Sequence, residues 1–378
     1  MAWEAQRTRV HAVWRADWER THPPHLGVPV WNYLFEGGKE IRARLFCELW
    51  TYLAPDQPVI ADLAFVVECL HSASLIIDDS PYMDNASIRR GQPTLHTQYP
   101  MPVVAHLCYD VIDMARRIWI AHRPAAMEMA DWNEWMRGCI QRLIVGQWCD
   151  IERQGTALEL ASLKTGVLFE WVAGTVARCV GLDSVFWQRW GNQVGVLFQW
   201  TDDKDDREED QAAGSRNAFL EAPDVTHAQY GAIWNAVQTG VGKEWWSRPF
   251  GAYLYAYFNW CSADPSPLSL IMLPALFSGI PEANGMYAND LITLMYHATA
   301  VIKEDDQVNL SWDQPWEEWV IEPYLQEAEQ RLEWNIRPTV ERLRQAYQKN
   351  ASAETYQNII NRGKNEVLSQ LYKRQNGV

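Results

Sequence analysis

The chain has 378 residues, 33 Lys and Arg against 48 Asp and Glu, and a formal net charge of -15. With 48% apolar and 21% charged residues it has the composition of a globular protein, not of a disordered or fibrous one. The acidic balance argues against nucleic acid, whose phosphates require clustered Lys and Arg, and suits a site that gathers metal ions.

Apolar spacing of three and four dominates from the start. Val10, Trp14 and Trp18 predict a first helix, closed by Pro23-Pro24. Met1 to Thr21 has no apolar h-region, so no secretory signal is expected, and the protein is expected in the cytoplasm. Cys47, Cys69, Cys108, Cys139, Cys149, Cys179 and Cys261 are widely spaced and form no C-x-x-C pair, which indicates neither a zinc site nor a disulfide framework. Gly37-Gly38-Lys39-Glu40-Ile41-Arg42 places Lys39 and Arg42 three apart just inside a helix start. Ala61 to Ile77 is long and apolar enough for a central buried helix. Further helices are expected over Arg142–Asp150, Leu160–Val180 and Trp187–Asp203, with breaks at Arg207–Asp224, Ser247–Pro267, Ile280–Gly285 and Lys303–Pro315. Pro265–Pro281 is the most apolar stretch, but it is too short and broken for a spanning helix, which needs about 20 apolar residues. Near the end, Trp316, Trp319, Val320 and Tyr324 share one face, and charged helical segments follow to about Arg374. With no repeat and no linker, one all-α domain over residues 1–378 is expected.

Two acidic runs stand at the ends of apolar segments. Asp78-Asp79-Ser80-Pro81-Tyr82-Met83-Asp84 closes the central helix, and Asp202-Asp203-Lys204-Asp205-Asp206 follows Phe198-Gln199. Taken alone, either reads as a solvated acidic turn. Negative charge at a helix C-terminus opposes the macrodipole, however, so its repetition suggests that it is wanted there. Asp202 and Asp206 share a helix face, and Pro81 plausibly starts a turn that brings Asp84 back towards Asp78. Carboxylate-only clusters suit Mg²⁺, which commonly bridges to a phosphorylated substrate. Donors for a diphosphate stand at Lys39 and Arg42, at Arg89-Arg90-Gly91, and at Lys164-Thr165-Gly166.

Together these residues resemble the trans-isoprenyl diphosphate synthase (polyprenyl synthetase) family. The similarity runs through Gly37-Gly38-Lys39, His71 to Asp79, Arg89 to His96, Gly146-Gln147-Trp148-Cys149-Asp150, Lys164-Thr165, and Phe198 to Asp206, in the family's order. Beyond about residue 220 little is recognisable. The resemblance implies a helical bundle of the isoprenoid synthase type with a central cavity. It implies that Asp78, Asp79, Asp84, Asp202, Asp203 and Asp206 hold three Mg²⁺ against the diphosphate of an allylic substrate. Arg89, Lys164, Gln147 and Asp150 would line that site, with Thr165 and Gln199 from the same motifs. Lys39, Arg42, His71 and Arg90 would bind the diphosphate of isopentenyl diphosphate. Ionisation of the allylic diphosphate, attack by the isopentenyl double bond and proton loss would follow. On the helix ending at Asp78, small Ala73 and Ser74 would leave room for a product of C20 or longer, such as geranylgeranyl diphosphate. Leu70 and Trp171 are candidates for the pocket floor, although ordinary core packing is the favoured reading of Trp171 in so tryptophan-rich a chain. A homodimer is implied as well.

Three departures stand out. Arg216 takes the place of a lysine usual in the family, where its guanidinium would bind substrate phosphate, Tyr109-Asp110 stands for the family's Gly-Asp, and Glu40 occupies a position where a basic residue is common. A terpene cyclase on this scaffold, or a non-catalytic partner subunit of a prenyl synthase, are the alternatives. The intact second cation set speaks against the first, and the complete aspartate runs speak against the second.

Overall fold

The computed structural model describes residues 2–246 together with Arg248, Phe250, Gly251, Leu254, Tyr257, Phe258, Arg342, Gln345 and Arg362. The expected features at Pro265–Pro281, at Trp316–Tyr324 and on to Arg374, with Cys261 and the breaks at 280–285 and 303–315, lie outside these residues.

Fourteen helices are described: α1 Ala2–Thr21, α2 Pro24–Phe35, α3 Ile41–Leu53, α4 Ala61–Asp78, α5 Leu95–Gln98, α6 Met101–Ala121, α7 Met129–Ile151, α8 Ala157–Ala161, α9 Val167–Val180, α10 Ser184–Asp205, α11 Arg207–Ala213, α12 Ala218–Glu221, α13 Pro223–Gly240 and α14 Lys243–Trp246. A π-helical turn, Ser162–Gly166, joins α8 to α9. The one sheet among the described residues is a ribbon of β1 Ile88–Arg89 and β2 Gln92–Pro93, paired antiparallel with Arg89 opposite Gln92. Its turn residues Arg90 and Gly91 both have positive φ, 52° and 74°, the conformation that a two-residue hairpin needs to match strand twist.

By backbone contacts the chain falls into two compact units. One is Met1–Trp200 with Arg207–Ala222; the other takes Thr201–Asp206 and the described residues from Pro223 on. In the first unit α4 is central, packed chiefly against α6 and α3, with α3 also against α9. Its residues from Ala61 to Leu70 are buried without a break, which is why this stretch is apolar apart from Asp62 and Glu68. The sequence shows α1 and α4 closely, and it shows α7 only as its last third. It misses α6, whose buried Val104, Leu107, Val111, Met114 and Ile118 nevertheless follow helical spacing. Tyr109, where the family has Gly, is 70% exposed on the outer side of α6 and leaves that packing undisturbed. The expected helix Leu160–Val180 is interrupted by the π-turn that carries Lys164. In the second unit, Tyr230 of α13 donates to the Phe258 carbonyl at 2.9 Å, and Trp234 meets Trp246 and Phe258 edge-on.

Candidate active site

Asp78 is the last residue of α4, and Asp79 caps the helix. The loop turns at Ser80–Pro81, and the Asp84 N–H donates to the Asp78 carbonyl at 3.0 Å, so Asp84 returns to the helix end. Asp79 is 2% exposed, and both its oxygens accept from protein donors. Tyr33 of α2 donates its hydroxyl to Oδ2, while Arg89 brings Nε to within 2.7 Å and Nη2 to within 2.6 Å of Oδ1. A charged carboxylate can be this deeply buried only because it is paired and hydrogen-bonded. Burial and the negative Asp79 in turn push the Tyr33 hydroxyl well above its ordinary value.

Asp78 accepts from Gln147 Nε2 at 3.0 Å. Burial lifts its carboxyl to about 6; the charges of Asp84 and Asp79 add to the rise, and those of Lys164 and Arg89 oppose it. Asp84 is raised too, by burial first, with Asp150 and Asp79 contributing and Lys164 and Arg89 opposing. Lys164 makes an ion pair with Asp150. The reason that Lys164 reaches α7 is local. Gly146 lies so close to the π-turn that a Cβ there would meet Leu163 Cβ at 2.8 Å and its carbonyl carbon at 3.0 Å. The π-turn is also held from α10, where Asn192 joins Ser162 Oγ at 2.9 Å and Glu170 Oε2 at 3.0 Å, and Arg142 pairs with the other oxygen of Glu170. Thr165 Oγ1 donates to Gln199 Oε1 at 2.6 Å.

A second group of cations forms around the α2–α3 turn. Gly37 has φ +80°, and a Cβ on Gly38 would touch the Arg90 guanidinium at 3.0–3.2 Å, so the hairpin arginine rests on the glycine pair. The Arg42 guanidinium lies 5.2 Å from the centre of the Phe169 ring, a cation–π contact. His71 is held well below its ordinary value by burial and then by the positive charges of Arg42, Arg90 and Arg89. Its imidazole is therefore neutral near pH 7, and Arg42 and Arg90 supply positive charge beside it. Lys39 is exposed at the mouth of this group.

In the second unit, the Asp206 N–H donates to the Asp202 carbonyl at 2.9 Å, one helical turn apart, and Tyr257 donates its hydroxyl to Asp202 Oδ1. Asp202 and Asp203 are half-buried, while Asp206 is exposed. Thr201 Oγ1 lies 2.9 Å from Tyr230 Oη, fixing the start of the run. Arg216 binds both oxygens of Glu221 at 2.7 and 2.8 Å, and the Gln154 and Gly155 carbonyls at 3.1 and 3.2 Å. Its guanidinium thus closes the segment after α11 onto the turn after α7.

Ala73 and Leu70 are buried, and Ser74 Oγ bonds back to the His71 carbonyl at 2.8 Å. Cys108 Sγ of α6 lies 3.7 Å from the Ala73 carbonyl. Trp171 is buried 4.8 Å, ring to ring, from Trp119, and its Nε1 has no partner among the described residues. Trp119 and Trp132 stack at 3.6 Å and exchange Nε1–H bonds to each other's carbonyls at 3.0 and 2.7 Å. Tyr33 on Asp79 and Tyr257 on Asp202 are partners of the aspartates that sequence reasoning missed, as is this tryptophan pair in the core. Each stands alone in its motif, and only packing brings it into place.

The oxygen-only donors of Asp78 and Asp84 fit a hard divalent cation, which would offset the burial, and after it the carboxylate repulsion, that raise both groups. Among the described residues no three Asp, Glu, His or Cys side chains gather closely enough to hold an ion alone. Water and phosphate oxygens would complete a Mg²⁺ shell, as that ion commonly requires.

The pattern described as polyprenyl synthetase matches residues 24–219. A geranylgeranyl diphosphate synthase of Cereibacter sphaeroides is 31% identical over 172 residues, 44% of this chain and 60% of that protein. One of Rhodobacter capsulatus is 30% identical over 189 residues, 49% and 65% respectively. The chain thus spans less than two thirds of the length of these curated relatives. Among solved structures, an isoprenoid synthase family member of Thermotoga neapolitana superposes with a TM-score of 0.53 at 21% identity, over 68% of this chain and 97% of that one. At that identity the likeness speaks for the fold, which is all-α.

Proposed function

The chain belongs to the polyprenyl synthetase family, and on that premise we propose that it is a Mg²⁺-dependent trans-prenyltransferase joining isopentenyl diphosphate to an allylic diphosphate. The observation that carries this reading is the adjacency of two differently built anion sites. One mixes carboxylates with Arg89, Gln147 and Lys164; the other, at Lys39, Arg42, His71 and Arg90, contains cations around a neutral imidazole. Two phosphorylated substrates need such a pair, and a cyclase with one substrate has no use for the second.

Asp78, Asp84, Asp202, Asp203 and Asp206 would hold the metal ions, three in number; Asp79, expected from the sequence to join them, has both oxygens engaged by Tyr33 and Arg89 and would instead order the first run. Bound Mg²⁺ supplies Lewis-acid stabilisation of the departing diphosphate. Arg89 and Lys164 bind the same leaving group, adding fixed positive charge where negative charge develops. Lys39, Arg42 and Arg90 hold the second diphosphate so that its double bond lies ready for the allylic cation. The apolar walls of α4 and α6 keep water from that cation; the isopentenyl double bond attacks it to form the new carbon–carbon bond, and the condensed cation then gives up a proton to the departed diphosphate. Small Ala73 and Ser74 support a product of C20, geranylgeranyl diphosphate, with Leu70, Trp171, Trp119 and Trp132 deeper along the helices. Ile144, Trp148 and Ile151, four and three residues apart on α7 and 48%, 62% and 57% exposed, form an apolar stripe that supports a homodimer.

Incubation with Mg²⁺, farnesyl diphosphate and labelled isopentenyl diphosphate tests the reading. A labelled C20 diphosphate is expected. A cyclic hydrocarbon from geranylgeranyl diphosphate alone, with no condensation, would overturn it in favour of a cyclase.

A further inference from the structure

The turn that carries Gly37, Gly38 and Lys39 from α2 to α3 is gripped by α1, which lies before the family-matched residues 24–219. Glu40, the last residue of the turn, is 9% exposed and has φ +45°, a left-handed conformation that is unfavourable for a residue with a side chain. Its carboxylate does not cap its own helix. It points instead to α1: Trp3 Nε1 donates to Oε2 at 2.8 Å, Arg7 Nε donates to the same oxygen at 2.6 Å, and His11 Nε2 lies 3.2 Å from Oε1. Arg7 also spans the other end of the turn, with Nη2 3.3 Å from the Phe35 carbonyl and 3.4 Å from Glu36 Oε2. The capping that Glu40 does not perform is supplied from α4, where Glu68 Oε1 accepts from the Ala43 N–H at 2.9 Å. Both ends of a five-residue turn are therefore tied to one helix, with the glycine pair and Lys39 between the ties.

Burial pushes the Glu40 carboxyl up, but its contacts with His11 and Arg7 outweigh this and hold it at about 2, so the tie stays charged throughout the neutral range. A buried carboxylate held by a guanidinium and an indole N–H, with an imidazole beside it, in a strained backbone conformation, has to be over-determined by its surroundings to persist. Gly37 and Gly38 give the backbone before Lys39 wide φ/ψ freedom, because neither carries a side chain. The tie removes that freedom, and it does so one residue from Lys39 and two from Arg42.

We propose that Glu40 is a positioning residue for Lys39 and Arg42, and that α1, through Trp3, Arg7 and His11, is a working part of the isopentenyl diphosphate site. The inference rests on the reading of Lys39, Arg42, His71 and Arg90 as that site. Loss of the tie should loosen the cations without touching the aspartates, so it should act on one substrate only.

Steady-state kinetics of Glu40→Gln, Arg7→Gln and the double variant test it, with thermal melting as a control for folding. Glu40→Gln is expected to raise the KM for isopentenyl diphosphate about ten-fold, the effect of losing a charge-assisted hydrogen bond. The KM for the allylic substrate and kcat at saturation should stay within about two-fold, since neither depends on that turn. The double variant should be no worse than Glu40→Gln, since both changes break one tie. Should Glu40→Gln fail to fold, Trp3→Phe removes a single donor and should still raise the same KM two- to three-fold, roughly the worth of one neutral bond. A lower melting temperature with both KM values unchanged, or with both raised together, would reduce Glu40 to a purely structural role and overturn the proposal. Lys39→Ala separates the two levels of the reading. If it raises the isopentenyl diphosphate KM while Glu40→Gln does not, the tie is refuted and the site stands. If Lys39→Ala has no effect, the site assignment falls and the tie falls with it.

Discussion

Asp78 and Asp79 are neighbours in sequence with opposite environments. Asp79 is matched by Tyr33 and Arg89, whereas Asp78 has one amide donor and a carboxyl lifted to about 6. An adjacent pair divided in this way has one member that orders the loop and one left to attract a cation. Replacing Asp78 with Ala should abolish turnover and leave the melting temperature nearly unchanged, because the variant removes repulsion as well as a side chain; Asp202→Ala should likewise abolish turnover. Product assay and thermal unfolding on the same preparations check this, and near-normal activity in either variant would refute the metal assignment. Glu68 offers a test by pH. Burial and then the charge of Glu40 raise its carboxyl from 4.5 to about 7, against Arg42, the Ala43 N–H and Arg90. A carboxyl raised on folding binds its proton more tightly in the native state, so stability falls as pH rises from about 4.5 to 7 and stays low above that. The shift is equivalent to about 3 kcal/mol. Glu68→Gln keeps an acceptor for Ala43 and removes the titration. Its stability relative to the unaltered protein, from denaturant unfolding, should therefore improve by up to about 3 kcal/mol between pH 5 and pH 8. A difference that does not change with pH would show that Glu68 does not titrate there.

At the scale of elements, the meeting of α7 with the π-turn decides where Lys164 points. Gly146 is the contact point, and a Cβ there would sit 3.0 Å from a backbone carbon that cannot swing aside. Gly146→Ala should push the two elements apart, destabilise the fold by about 1–3 kcal/mol as overpacking does, and weaken the Lys164–Asp150 pair. Unfolding curves together with the KM for the allylic substrate are the check; a stable variant with an unaltered KM would show that the contact does not set Lys164. Much of this level was legible beforehand. The acidic runs at helix ends and the buried character of α4 follow from spacing and residue type. What was not legible is the interruption of α8–α9 by a π-turn. Its cause is the crowding of Leu163 against Gly146 and of Gly166 against Asn192 and Gly195, and those contacts join distant parts of the chain. Arg216 makes the same point. Its offset from the second aspartate run suggested a phosphate ligand, yet the structure ties it to Glu221 and two carbonyls.

For the molecule as a whole, the product length proposed for this site would be set by α4 and α6 together. Cys108 Sγ of α6 lies 3.7 Å from the Ala73 carbonyl, and Trp119, stacked on Trp132 of α7, stands eleven residues further along α6, about 16 Å at the helical rise. Ala73→Phe should therefore shorten the product by at least one C5 unit, read by chromatography of the dephosphorylated alcohols; an unchanged product would remove Ala73 from the pocket wall. The sequence by itself determined the helical class, the two acidic runs, the cation-bearing turns and the family, because each depends on periodicity or residue type within a few positions. Only the tertiary structure decided which charges are matched. Tyr33 reaches Asp79 across 46 positions, Arg7 reaches Glu40 across 33, and Tyr257 reaches Asp202 across 55. Such pairings leave no local trace in the chain, because they are selected by the packing of whole helices and not by the spacing of residues along one.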